Sequence, residues 1–247
     1  MPISPNQGST AGGTTVTITG TNLGGATAVR FGSKLATITA NTPTSVTVVS
    51  PSGNGVVGVT VTTPGGTSNP LNFFYIGPPF KTGLSVSSGP LAGGNTVTIT
   101  GTGLSTASAV AFGGNSATPT VVNDGQINVT VPAGAAAGPV GITVTTAGGS
   151  SNGLSYTYVN APAITTVSPT SGPTSGGTSV TITGSGLTST QSVTFGGVAA
   201  PFSVIDDTSL SAVTPPGTAG PVDVTVTTSG GSATADDAFS YAAGPGI

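Results

Sequence analysis

An all-β chain of three tandem sandwiches is the fold class this sequence predicts, and three observations carry it. The first is a stretch written three times, as TTVTITGTNL at Thr14 to Leu23, NTVTITGTGL at Asn95 to Leu104 and TSVTITGSGL at Thr178 to Leu187. Each copy alternates a branched apolar residue with Thr: Val16 and Ile18, Val97 and Ile99, Val180 and Ile182. A period of two puts the apolar pair on one face and the hydroxyls on the other, the pattern of a half-buried strand. The second is punctuation. With 41 Gly and 20 Pro in 247 residues, the chain is cut into short segments, none with helical spacing. The third is the period: Ile3, Leu84 and Val167 hold equivalent places, giving repeats of 81 and then 83 residues. Self-similarity at a fixed period marks an array of like units.

Within each unit the same landmarks follow in order. Gly20, Gly101 and Gly184 read as the end of the first repeated strand. Next come short strands ending in Phe-Gly: Ala28 to Gly32, Ala109 to Gly113 and Ser192 to Gly196. A strand carrying Val46 and Val48, Ile127 and Val129, or Leu210 and Ala212 comes after them. VGVTVTTPGG (Val57 to Gly66), VGITVTTAGG (Val140 to Gly149) and VDVTVTTSGG (Val222 to Gly231) then end in the pairs Gly65-Gly66, Gly148-Gly149 and Gly230-Gly231. These pairs are read as supplying the positive φ that a tight hairpin needs. Each unit closes on an aromatic strand: Phe73 to Ile76, Tyr156 to Val159 and Phe239 to Ala242. Six or seven strands in about 80 residues is the size of a small sandwich. Its core must pack well at that length, with Phe112 among the expected buried aromatics.

The run SPTSGPTSGGTSVTITGSGL at Ser168 to Leu187, VTFG at Val193 to Gly196 and VTVTTSGG at Val224 to Gly231 together resemble the IPT/TIG family of immunoglobulin-like domains. The resemblance covers nearly the whole chain in three copies. It implies an open antiparallel sandwich, but not one function. Members include DNA-contacting modules of transcription factors, receptor ectodomains, accessory domains of polysaccharide enzymes, and bacterial or phage surface proteins. The expected domains are residues 1–78, 79–160 and 161–243, with 244–247 as a tail that starts a further repeat. The linkers Gly77-Pro78-Pro79 and Asn160-Ala161-Pro162 are short and stiffened by Pro, so a rod is expected.

Composition narrows the function. The only basic residues are Arg30, Lys34 and Lys81, against six Asp and no Glu, for a net charge of −3. Phosphate backbones need clustered Lys and Arg, so nucleic acid is rejected as a partner. With no His and no Cys, imidazole bases, thiol catalysis, disulfides and zinc-type sites are excluded, and neither an enzyme nor a cofactor is expected. Asp206-Asp207 and Asp236-Asp237 are the only acidic pairs. They fall short of the roughly six to eight oxygens a calcium ion takes, so solvated turn residues are expected and no metal site. No apolar run approaches the roughly 20 residues of a membrane span. Nothing after Met1 reads as a secretory signal. Such a chain leaves the cell by an uncleaved route or by lysis, is written without its leader, or stays inside; of these, an extracellular, cell-surface or virion-surface location without a recognisable signal peptide is the expectation.

For a glycan the flat exposed aromatics matter, and there is no Trp. The Phe and Tyr positions recur in register, as core residues do. Phe80 and Phe202 break the pattern, with Phe73 or Phe74 as further candidates, and Phe80 is expected to pack at the junction of the first two units. Arg30 and Lys34 flank Phe31 and could meet Asp236 or Asp237 of a second copy. A solvated charge is the plainer reading, since exposed pairs contribute little.

The ends suggest how copies meet. Ile3 takes the place of Val167, with the preceding strand half missing. Gly244, Pro245, Gly246 and Ile247 run into the start of another unit and put Ile247 at the place of Ile164. Met1 and Pro2 then fall at Thr165 and Thr166 of that pattern. The expectation is self-association, with Gly244 to Ile247 completing the strand begun by Met1, Pro2, Ile3, Ser4 and Pro5 of the next copy. Such a heterologous contact does not close and gives a filament. The plain alternative is an array cut at an arbitrary point. A structural fibre subunit is the function expected. The runner-up is an adhesin-like or phage decoration or tail module that holds a host glycan or protein.

Overall fold

The computed structural model describes residues 2–244, and those residues form strands and no helix. Each repeat carries two sheets in the same order. In the first repeat, Ile3–Ser4, Thr15–Thr19, Ser45–Val49 and Thr37–Thr42 lie side by side, all antiparallel. The other sheet runs Gln7–Ser9, Leu71–Ile76, Val56–Thr63, Ala28–Phe31 and Lys34–Leu35. Gln7–Ser9 joins Leu71–Ile76 in parallel, so the chain crosses from one sheet to the other just after its first strand. Ser88–Pro90 and Ser171–Pro173 make the same parallel crossing.

The alternation acts as read. In Thr15–Thr19 the side chains of Val16 and Ile18 are fully buried and those of Thr15 and Thr19 exposed. Outward hydroxyls pair across strands, as Thr62 with Thr67 and Thr225 with Thr234, both at 3.0 Å. Such cross-strand pairs support the sheet without charge. By contact density the chain divides into two compact units, residues 1–85, 96–130 and 141–154 in one and the remainder in the other. The first unit holds a core of Val16, Ile18, Val29, Phe31, Val46 and Phe73 with their neighbours. The second holds its counterpart, with Val180, Ile182, Val193, Phe195, Leu210 and Phe239. Phe31 meets Phe73 edge-on at 5.0 Å, and Phe195 meets Phe239 at 5.3 Å. Such geometry adds to the burial of the rings. The polar tip of each closing Tyr is satisfied in the same way: Tyr75, Tyr158 and Tyr241 donate to the carbonyls of Pro51, Pro132 and Pro215.

The hairpin expectation is narrowed to one residue of each pair, and the strand-end expectation is corrected. Only the second glycine of each hairpin pair takes positive φ: Gly66 at 122°, Gly149 at 118° and Gly231 at 125°. The first glycine answers a different need, described below. Gly101 and Gly184 do not end their strands, which run on as Thr96–Thr102 and Ser179–Ser185. Only the first repeat stops before its glycine, at Thr19. The reason is pairing, since the first strand of repeats two and three reaches those positions and holds them extended.

Candidate functional site

Two neighbouring features of the first repeat form the candidate site. One is the first-strand edge. Phe80–Leu84 pairs with Thr96–Thr102 from Leu84 opposite Ile99 out to Phe80 opposite Thr102. Ala163–Ser168 does the same out to Ile164 opposite Gly184 and Ala163 opposite Ser185. The carbonyls of Phe80 and Ala163 press so closely on Gly101 and Gly184 that a Cβ there would collide with them. In the first repeat the strand is only Ile3–Ser4, opposite Ile18 and Thr17, with Thr19 N donating to the Pro2 carbonyl. Among the described residues, no strand continues opposite Gly20 and Thr21. Of the residues expected to self-associate, Pro2 to Ser4 are thus already placed within their own sheet. Gly244 is exposed with open space around it, and Met1 and Pro245 to Ile247 lie outside the described residues.

The other feature is a groove of about 580 Å³ beside that edge, walled by Thr21, Asn22 and Leu23 on one side and Thr63, Gly65 and Gly66 on the other. Asn22 takes a left-handed φ of 56°, which Asn tolerates. Asn41 Nδ2 donates to the Leu23 carbonyl at 2.7 Å and its Oδ1 accepts from Ala26 N, tethering the turn. The hairpin is held by Thr63 Oγ1, which accepts from Gly65 N at 3.3 Å. Sequence reading missed this groove, because its residue types are those of any turn.

The remaining candidates separate. Asp206 caps its own turn, accepting from Thr208 N and the Thr208 and Ser209 hydroxyls. Asp207 instead reaches back to Gly186 N and Thr188 Oγ1. These bonds hold both carboxyls below the usual carboxylate range, with the Thr208 hydroxyl foremost at Asp206 and the Thr188 hydroxyl at Asp207. They serve two loops rather than converging on one point. Asp237 N donates to Asp223 Oδ1, and among the described residues no group of three or more acidic side chains gathers for a metal. Lys34 donates to the Ser52 carbonyl at 2.8 Å and Arg30 to the Ser33 carbonyl, both within the first repeat. Phe80 does not pack at the junction; it is 68 % exposed. Phe202 packs partly against its core, Phe73 is fully buried, and Phe74 is the exposed member of that pair. Lys81 is an unforeseen buried charge. It sits at the place of Ile164 with its ammonium on the Ile142 carbonyl, and burial lowers its pKa.

The family model of the IPT/TIG domain matches residues 1–75, 79–158 and 162–241. Among solved structures, the plexin A4 full extracellular region is 21 % identical with a TM-score of 0.52, over 93 % of this chain and 22 % of that one. The chain therefore spans under a quarter of that relative's length. The Escherichia coli adhesin FdeC is 14 % identical with a TM-score of 0.37, over 98 % of this chain and 96 % of the other. SGBP-B of the Bacteroides ovatus mixed-linkage glucan utilization locus, in complex with a mixed-linkage heptasaccharide, is 17 % identical with a TM-score of 0.31, over 96 % and 65 % of the two chains. The plexin likeness speaks to the sandwich fold. No curated protein matches the chain.

Proposed function

We propose that this chain, which belongs to the IPT/TIG domain family, is a structural subunit of an extracellular or surface fibre assembled head to tail. The observation behind this reading is the unequal first strand, two residues long in the first repeat against five and six in the others. An unpaired strand edge is a template for an added strand. By the register of Ala163–Ser168, Gly246 of one copy would lie opposite Thr21 of the next, and Ile247 opposite Gly20. The contact is heterologous, so it repeats without closing. The groove beside it is lined by Thr, Ser, Asn, Gly, Leu and Val and by no charged group, so forming the contact there desolvates no ion. Deleting Gly244 to Ile247 tests the reading. Light scattering is expected to fall from polymer to single-chain mass, and an unchanged particle size would overturn it.

The second reading is a surface module that binds a glycan or protein. What favours it is a groove of about 380 Å³ lined by Thr10, Lys34, Ser52, Asn54 and Tyr75 among others. It combines hydroxyls, an amide, a cation and aromatic side chains, the mix that holds a polar ligand. A glycan array that stays blank would count against it.

A further inference from the structure

In the second and third repeats the Gly-Gly hairpin is seated on the linker that enters the repeat. A Cβ on Gly148 would collide with the Gly77 carbonyl and stand 3.0 Å from Ile76 Cγ2. A Cβ on Gly230 would collide with the Asn160 carbonyl and stand 3.0 Å from Val159 Cγ1. On the opposite wall, added Cβ atoms on Gly103 and Gly186 would lie 3.5 and 3.4 Å from Pro79 Cα and Pro162 Cα. The linker therefore runs in a slot between hairpin and turn, with Pro79 and Pro162 buried. Glycine is obligatory at 148 and 230 because a backbone carbonyl occupies the space of a side chain, and neither residue has positive φ.

The first repeat has the same two walls, and among the described residues no linker passes between them. Gly65 N donates to Thr63 Oγ1 as Gly148 N does to Thr146 Oγ1 and Gly230 N to Thr228 Oγ1. Yet Gly65 and Gly66 are exposed, whereas Gly148, Gly230, Thr146 and Thr228 are buried. Nothing within its own repeat requires glycine at 65. Its φ is not positive, and among the described residues an added Cβ would meet only Thr63 Oγ1, at 3.7 Å.

We infer that this slot, between Thr21–Leu23 and Thr63–Gly66, is the docking surface for Ala242, Ala243 and Gly244 of a second copy, an inference that rests on the head-to-tail reading above. Ala242 stands where Ile76 and Val159 stand in the repeat, and Ala243 where Gly77 and Asn160 stand. All three tail residues are exposed on their own chain. The Ala243 carbonyl would press on Gly65 as those of Gly77 and Asn160 press on Gly148 and Gly230. The slot thus adds a backbone seat to the strand edge beside it.

Gly65→Ala tests this on the full chain, with Gly65→Leu as a larger plug, by static light scattering across a concentration series and by thermal unfolding. The expected result is an unchanged melting temperature with assembly shifted to at least about tenfold higher concentration, the equivalent of ~1.4 kcal/mol. Wild-type protein that assembles, with both variants assembling alike, would overturn the slot and leave the head-to-tail reading standing. Wild-type protein that stays a single chain at every concentration would overturn both.

Discussion

The first repeat and its two successors are alike inside and unlike at one end. All bury the same branched pair from the repeated strand and the same ring from the Phe-Gly strand. They part where the preceding linker passes: Gly148 and Gly230 are buried beneath it, while Gly65 is exposed. The core is fixed by apolar alternation, which each repeat carries for itself. The periphery depends on which linker passes over it, so near-identical hairpins are buried in the second and third repeats and exposed in the first.

The largest expected effect tests the sameness. Phe31→Ala, Phe112→Ala and Phe195→Ala should each cost about 3–5 kcal/mol in denaturant unfolding, because all three rings are at most 3 % exposed. A loss in the first repeat well below the other two would break the equivalence. The difference is probed next. Gly148→Ala and Gly230→Ala should each cost about 1–3 kcal/mol through overpacking against the linker carbonyl, while Gly65→Ala stays within about 0.5 kcal/mol. Equal costs at all three would show that the hairpins do not differ.

Smaller effects sharpen the picture. Lys81 fills the place that Ile164 fills in the third repeat, as a buried cation with a lowered pKa. The folded state therefore disfavours its protonated form, so the unfolded chain binds more protons and stability rises with pH toward the ordinary Lys value. Lys81→Met should stabilise by about 1 kcal/mol at neutral pH and flatten that alkaline rise, as followed by thermal melts across pH. The smallest effect is acidic. Asp124 accepts from Gly103 N, its foremost stabilising contact, and from Ser105 N, and Asp207 holds the equivalent turn. Both carboxyl pKa values are lowered on folding. Their contribution is thus present above the ordinary Asp range and lost as pH falls through the lowered values. Pro43 takes this place in the first repeat, so Asp124→Asn and Asp207→Asn should reduce the acid sensitivity of melting, whereas Pro43→Ala should leave it unchanged.

Much of the fold was legible because period-two alternation and repeated turn glycines are properties of short local segments. Val16 and Ile18 announce a face, and Gly66 announces a positive φ. What stayed hidden depends on non-local partners. Gln7–Ser9 is too short to show alternation, and its parallel pairing depends on Leu71–Ile76 far along the chain. Lys81 reads as a surface charge until the Ile142 carbonyl is placed beside it. The first glycine of each pair looked like turn chemistry, although one positive-φ residue suffices there. That surplus glycine was the available signal for the slot. The strand edge was legible from repeat alignment, and the groove beside it was not.

Electron microscopy of the purified chain separates a fibre subunit from a solitary surface module. Filaments are expected, with an axial period of three sandwiches and the first repeat of each copy seated on the last repeat of its neighbour. Fields of separate single chains at concentrations where light scattering is also monodisperse would contradict fibre assembly.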